Sequence, residues 1–457
     1  MHTSLTLAAR AQKAGLLQDF RGGFYDCLTG WGDALFELTD AAICAPGPIS
    51  SVPALSLDPA FRRSHGSLYK ALSKGDIDAS GMRELLASFR PDWPMIFAID
   101  ASTWARSDAE CSPQRGFYHS ASRHSAGQPI VAGWNYQWIA QLNFEPDSWT
   151  APLDTERIPP GADCTTATVE QIRRSVTTLP DDGPVPLFVL DAGYDPAGLS
   201  HGLADTRAQV LVRLRSDRVF FTDPPAHPHH PGRAGRPRRH GRRFKLSDQT
   251  SAPDPDAEIH LDDARYGKVT IRAWHDLHPR LHRRGRWAAA DLPPIVRGTV
   301  IRVDVEHLPK PSSRANNTTL WLWWSGPGQA DLETCLHAYL HRFDLEHTYR
   351  FAKNTLGWTT PALRTPEQAD RWTWLVAAAY TQLRIARGIV EDLRLPWERP
   401  RHPAKLTPTR VRRGFPSLRA TLGTPASPPK SQKAGPGRPK GTRRPPRTRY
   451  PVIKKTA

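Results

Sequence analysis

Residues 95–103 read MIFAIDAST, an apolar run that stops at an acid, Asp100. Residues 186–196 read PLFVLDAGYDP and follow the same pattern, stopping at Asp191. Apolar runs of this length, rich in β-branched and aromatic residues, predict buried strands. Between them, 116–123 and 129–143 (PIVAGWNYQWIAQLN) flank Ser125-Ala126-Gly127 and predict antiparallel strands. Residues 165–179 (TTATVEQIRRSVTTL) have helical spacing, and 209–215 (QVLVRLR) predict a further strand. Strands and helices in this order predict an α/β fold with a mixed sheet over 93–215.

Upstream, residues 1–92 predict a helical domain. Leu16, Phe20, Phe24 and Leu28 recur every four residues, and Leu35, Leu38 and Ala41 continue an apolar face. Residues 66–90 predict two short helices joined at Lys74-Gly75-Asp76, compatible with a helix-turn-helix or an ordinary helical hairpin. Downstream, 216–330 predict a β-rich insertion, with strand-like pieces at 267–275, 298–308 and 319–326. Segment 331–395 predicts a helix over 332–356, with Asp331 as N-cap and Gly357 past its end, then a helix over 366–392. Thr365, Pro366 and Gln368 supply the second helix with a capping box. Segment 396–457 is Pro-, Gly- and Arg-rich and predicts a disordered basic tail.

The 457 residues carry 62 Lys and Arg against 45 Asp and Glu, a net charge of +17. That charge is uneven: 401–457 hold 16 basic residues and no acid, leaving 46 basic against 45 acidic in the first 400. Within those, 233–245 (RAGRPRRHGRRFK) hold seven Lys or Arg and no acid. A body this close to neutral excludes a uniformly basic wrapper for nucleic acid. No apolar run is long enough to span a membrane, and the start lacks the layout of a signal peptide. Cys27, Cys44, Cys111, Cys164 and Cys335 are few and scattered, with no CxxC pattern, which predicts buried thiols in a reducing cytoplasm.

An acid ending a single strand is ordinarily a cap or turn residue. Two such strands are a more specific pattern, because strand ends carry sites in α/β folds. Two carboxylates there and a third on a later helix suit a pair of Mg²⁺ ions, which take oxygen ligands and serve phosphodiester chemistry. In the 332–356 helix, Tyr339, Arg342, Glu346 and Lys353 fall at offsets of 0, 3, 7 and 14. At about 100° per residue they occupy one stripe about 60° wide. One reading is a solvated charged face with an Arg342–Glu346 pair. The other is a surface that holds metal and contacts phosphates.

At these residues the sequence resembles the DDE transposases of bacterial insertion sequences, which have a ribonuclease H-like core. Asp100 and Asp191 sit as the first two acids do. Residues 339–353 (YLHRFDLEHTYRFAK) match Tyr-x2-Arg-x3-Glu-x6-Lys, the signature of the branch with a β-rich insertion before its catalytic Glu. The resemblance implies that Asp100, Asp191 and Glu346 hold two Mg²⁺ ions, with Mn²⁺ as a substitute. It implies that Arg342 and Lys353 contact phosphates beside the cleaved bond and that Tyr339 positions the strand end. Water would free a 3′-hydroxyl, which would then attack target DNA. The implied partners are the element's terminal inverted repeats, target DNA and a second copy of the chain, in the cytoplasm at the nucleoid. The alternatives are a ribonuclease H-like nuclease or resolvase without strand transfer, and a transposase-derived regulator that binds DNA without cutting it.

The basic segments predict DNA contacts through Arg233, Arg236, Arg238, Arg239, Arg242 and Arg243 in the loop, and Arg438 and Lys440 in the tail. Gly-Arg-Pro occurs in both, at 235–237 and 437–439, and resembles the minor-groove core of an AT-hook. General phosphate binding explains the same residues, and either predicts salt-dependent affinity. Trp321 and Trp323 should share one sheet face and Trp324 the other, most simply as core. His227, His229, His230 and His240 lack Cys partners and do not compose a zinc motif. The face Trp372, Leu375, Ala379 and Leu383 is a candidate dimer contact.

Overall fold

The computed structural model describes residues 7–119, 130–225, 238–309, 318–430, 439, 441 and 446–454. The chain opens with five helices, α1 Leu7–Asp26, α2 Gly32–Cys44, α3 Val52–Leu55, α4 His65–Lys74 and α5 Ala79–Ser88. Strands β1 Ile96–Ala105, β2 Gly116–His119, β3 Ile130–Leu142 and β4 Thr150–Ile158 follow, then α6 Cys164–Val176, β5 Leu187–Leu190, α7 Pro196–Gly202 and β6 Gln209–Leu214. The insertion holds β7 Val219–Phe221, β8 Arg243–Lys245, β9 Ala257–Asp263, β10 Gly267–Pro279, β11 Gly298–Val305 and β12 Thr319–Ser325. Helices α8 Leu332–His341, α9 Phe343–Asn354, α10 Pro366–Ala386 and α11 Pro408–Thr421 complete the chain. The class is mixed α/β. No helix among the described residues is long and apolar enough to cross a membrane.

Contacts gather these elements into two units that do not follow chain order: Met1–Pro94, Asp100–Ala162 and Phe343–Ala457 in one, Met95–Ile99 and Asp163–Arg342 in the other. In the first unit, α1 buries Leu17, Phe20, Phe24 and Leu28 while Leu16 is exposed, so its apolar face starts one residue later than the strict four-residue spacing predicts. Steps of three and four alternate along a helix face, and Leu17 satisfies the first. Leu35, Leu38 and Ala41 of α2 are buried as expected. The helix α10 packs against α1, α2, α4, α11 and β4, with Trp372, Leu375, Ala379 and Leu383 wholly internal. That face is therefore core and not a dimer contact. Strand β3 runs between β2 and β1 and pairs antiparallel with β2 and β4.

The segment expected to be disordered from 396 onward is folded in part. Helix α11 buries Val411 and Phe415, and Leu406 is buried before it. Arg412 donates to the carbonyls of Ala42 (2.9 Å) and Gly47 (3.0 Å), and Arg419 donates to Asp40 (3.1 Å). Near the C-terminus, the Tyr450 and Ile453 amides donate to the carbonyls of Glu110 and Arg115. Two apolar residues one turn apart, diluted among Arg and Pro, suffice for a helix when a groove receives them.

In the second unit, β5 pairs parallel with the first residues of β1 and with β6. β12 pairs antiparallel with β6, and β11 and β10 extend the sheet antiparallel from it. The β-rich insertion is thus built onto the edge of β6. Phe220, Phe244, Trp274, Trp321 and Trp323 form its core, and Trp324 lies outside that cluster, as strand alternation requires. All three tryptophans of β12 are buried, which makes them packing residues here.

Candidate active site

Strand β1 carries Asp100 directly after the wholly buried Phe97, Ala98 and Ile99, and from Asp100 onward it belongs to the first unit. Helix α9 carries the exposed Glu346 and, three and seven residues on, Tyr349 and Lys353. Offsets of three and seven keep all three on one face. The Tyr349 hydroxyl donates to the Asp100 carbonyl at 2.5 Å, and the Lys353 ammonium donates to the Thr103 carbonyl at 3.4 Å. Lys353 also lies 5.8 Å from the centroid of the Trp358 ring, and Trp358 stacks on Tyr349. Burial holds the Lys353 ammonium below its ordinary pKa, and the nearby Asp100 charge opposes that shift. Asp100, Tyr349 and Lys353 therefore form one linked group with Glu346 on the same helical face.

The face is set from below. Thr348 bonds Thr150 of β4 (2.8 Å) and Tyr380 of α10 (3.2 Å). Gly357 leaves α9 at φ +64°, and the Trp358 amide returns to the Ala352 carbonyl. Thr365 and Gln368 make the expected capping box of α10.

In the second unit, β5 ends at Leu190 and Asp191 follows it directly. The last residue pairs of its parallel ladders are Ala98 with Val189 and Leu190 with Val212. Asp191 and Arg213 each lie one residue beyond the second of these pairs. The Arg213 guanidinium stands 4.0 Å from Asp191, whose side chain is 41% exposed. Tyr339 is buried on α8, and its phenol pKa is raised by that burial, with the Arg213 and Arg342 charges opposing it. The Arg342 guanidinium lies 5.8 Å over the Tyr339 ring.

The helix expected over 332–356 is interrupted: α8 ends at His341 and α9 begins at Phe343. At the junction the Arg342 amide is shared between the Ala338 and Tyr339 carbonyls (3.1 and 3.3 Å), a tightened turn. Tyr339 and Arg342 belong to the second unit, Glu346 and Lys353 to the first. Arg342 is 2% exposed, so it lies on no solvated stripe. Asp331 caps α8 as expected, accepting from the Thr334 amide.

Among the described residues, no group of three or more His, Cys, Asp or Glu side chains is placed to hold a metal ion. The sequence reading missed Tyr349 and Arg213. Tyr349 shares the helical face of Glu346, and Arg213 is the charged residue inside the apolar β6, so each had a positional signal. Of the basic loop, Arg238, Arg242 and Arg243 are exposed; Arg239 donates to the Pro293 carbonyl and Arg242 to the Ala252 carbonyl. Arg233, Arg236, Arg438, Lys440, His227, His229 and His230 lie outside the described residues. His240 pairs with His278 at 3.0 Å.

A family model described as DDE superfamily endonuclease matches residues 23–280, which include Asp100 and Asp191 and end before α8 and α9. No curated protein matches the chain.

Proposed function

The chain belongs to the DDE superfamily of endonucleases, with their ribonuclease H-like mixed α/β fold, and on that premise we propose that it is a transposase. It cuts DNA at the ends of its own mobile element and joins those ends to target DNA. The observation that carries this is the Tyr339, Arg342, Glu346 and Lys353 spacing, set directly after a β-rich insertion in an endonuclease chain.

DDE endonucleases work with divalent metal ions. Asp100, Asp191 and Glu346 are an all-carboxylate donor set, which suits Mg²⁺, with Mn²⁺ as a substitute. Two metal ions, when held by these carboxylates, would supply activation of the attacking oxygen and stabilisation of the leaving oxygen. The chain's own residues do the rest. Tyr349 fixes the backbone at Asp100, so the carboxylate is presented from the middle of a rigid strand, β1. Lys353, held beside Asp100, meets a phosphate next to the cleaved bond. Arg213, exposed beside Asp191, contacts a neighbouring phosphate, while the buried Arg342, stacked over Tyr339, braces that residue and does not reach the DNA itself. Water breaks one phosphodiester and frees a 3′-hydroxyl. That hydroxyl then attacks a target phosphodiester, forming one P–O bond as another breaks, so no external energy source is needed. Pairing two ends calls for two copies of the chain assembled on DNA, at the nucleoid.

The test combines purified protein, Mg²⁺, donor DNA with the flanking inverted repeats and a target plasmid. Joined products are expected. Nicks without joining would leave a nuclease or resolvase, and a mobility shift without cutting would leave a DNA-binding regulator.

A further inference from the structure

We infer that the second unit carries a groove for the DNA phosphate backbone, built where the turn between β6 and β7 meets the loop after β10. An open cavity of about 560 Å³ lies there, and Asp191 is not part of its wall. Arg215 and Arg218 come from the turn, where the Arg218 amide bonds the Arg215 carbonyl at 3.2 Å. Arg280 and Arg284 come from the loop, which is tightened by the bonds from the Arg284 amide to His282 and from the Trp287 amide to Arg284. All four are exposed, and none has an ion-pair partner among the described residues.

The acids of the wall do not answer them. Asp163 holds Arg286 at 2.5 Å, and Asp195 stands 3.8 Å from the same guanidinium. Two of the three carboxylates are thus engaged with a fifth arginine, leaving Asp217 against four guanidinium groups. The run 277–290 holds four Arg and no acid, and 65 residues separate Arg215 from Arg280. Only the fold brings these charges together. Guanidinium forks that outnumber their carboxylates repel one another until a polyanion arrives, and their geometry matches phosphate oxygens. The open trough suits a strand passing through.

This inference rests on DNA as the substrate, and on neither strand transfer nor the assignment of the three acids. The experiment is a fluorescence-anisotropy titration of full-length protein with a labelled 30-base-pair duplex, in EDTA, at several salt concentrations. Wild type is compared with the variant Arg215→Gln, Arg218→Gln, Arg280→Gln, Arg284→Gln. The slope of log affinity against log salt is expected to fall by about four, roughly one per lost contact. Lys at the same four positions is expected to restore it, because the slope counts charges. If the quadruple variant does not fold, the pair Arg215→Gln, Arg284→Gln is measured, with an expected fall of about two. An unchanged slope and affinity would overturn the proposal. So would loss of labelled nucleoside triphosphate binding with duplex binding intact, which would mark a small-anion site. The titration is run in EDTA and reads binding without cleavage, so failure of the groove and failure of the active-site reading appear in separate measurements.

Discussion

Tyr349 holds Asp100 through a bond to its backbone carbonyl, which is a positioning role and not metal ligation. Tyr349→Phe removes that donor and keeps the ring between Trp138 and Trp358. The expected cost is about 1 kcal/mol, read as a lower denaturant midpoint, with a severalfold slower nicking rate and unchanged DNA affinity. Asp100→Asn, Asp191→Asn and Glu346→Gln are expected to act differently. Each removes a carboxylate charge assigned to metal ligation, worth several kcal/mol at the transition state, so cleavage falls about a hundredfold or more while duplex binding persists. Undiminished nicking by any one of them removes that residue from the site. A further residue-level outcome concerns His278. Burial lowers its pKa, and neighbouring His240 adds to this, with Asp223 opposing. A histidine with a depressed folded pKa binds fewer protons than the unfolded chain just below pH 6.5, so stability is full above that pH and is lost as pH falls towards the folded pKa. Urea unfolding followed by tryptophan fluorescence should show lower stability at pH 5 than at pH 7.5, and His278→Asn should flatten the difference. The two Asp residues stood out in the sequence because an acid ends an otherwise apolar run; Asp191 does follow its strand, but β1 continues past Asp100 to Ala105, because Ser102 and Thr103 are as compatible with a strand as the apolar residues before them. The His278 pair did not stand out, because its partner lies 38 residues away and only strand pairing joins them.

Among the elements, α9 and its exit show what local pattern reveals and what it hides. Gly357 and the Thr365–Gln368 box are short-range signals, and the structure uses both. Gly357→Ala is expected to cost more than an ordinary helix-end change. At φ +64° an L side chain is strained, and its Cβ would stand 2.9 Å from Ile49. A loss of about 1–3 kcal/mol is expected in equilibrium denaturation, against about 1 kcal/mol for Thr365→Ala. Equal losses would mean that Ile49 yields and that the turn, not the contact, sets the cost. The break between α8 and α9 left no mark in the sequence. Arg342 keeps right-handed helical angles, φ −51° and ψ −33°, and no Gly or Pro announces the lapse. Periodicity therefore read one helix where there are two, and placed on one stripe residues that the fold divides between units.

For the whole molecule, composition misled most at the C-terminal end, where a +16 segment looked like a free arm. Averaged over 57 residues, Val411 and Phe415 vanish among Arg, Pro and Gly. In three dimensions Phe415 is wholly buried, and Arg419 shares Asp40 with the buried Arg21. The basic charge after residue 400 thus has two physical roles. Arg410, Arg412 and Arg419 are structural cations, bonded to Asp392, to Ala42 and Gly47, and to Asp40. Lys430 is exposed and available to solvent. Substitutions should sort by this division. Phe415→Ala empties a packed site on α11 and is expected to cost about 3–5 kcal/mol. Arg419→Met leaves Asp40 with one cation where it had two, and should also lower stability. Lys430→Gln should leave stability within about 0.5 kcal/mol and reduce only the salt dependence of DNA binding. Thermal melts of the three variants, paired with anisotropy at two salt concentrations, separate these effects. A Phe415→Ala protein that melts with the wild type would return residues 408–421 to the status of a free arm. Its melting early, with the salt slope unchanged, fixes α11 as part of the folded body from which any basic arm must start.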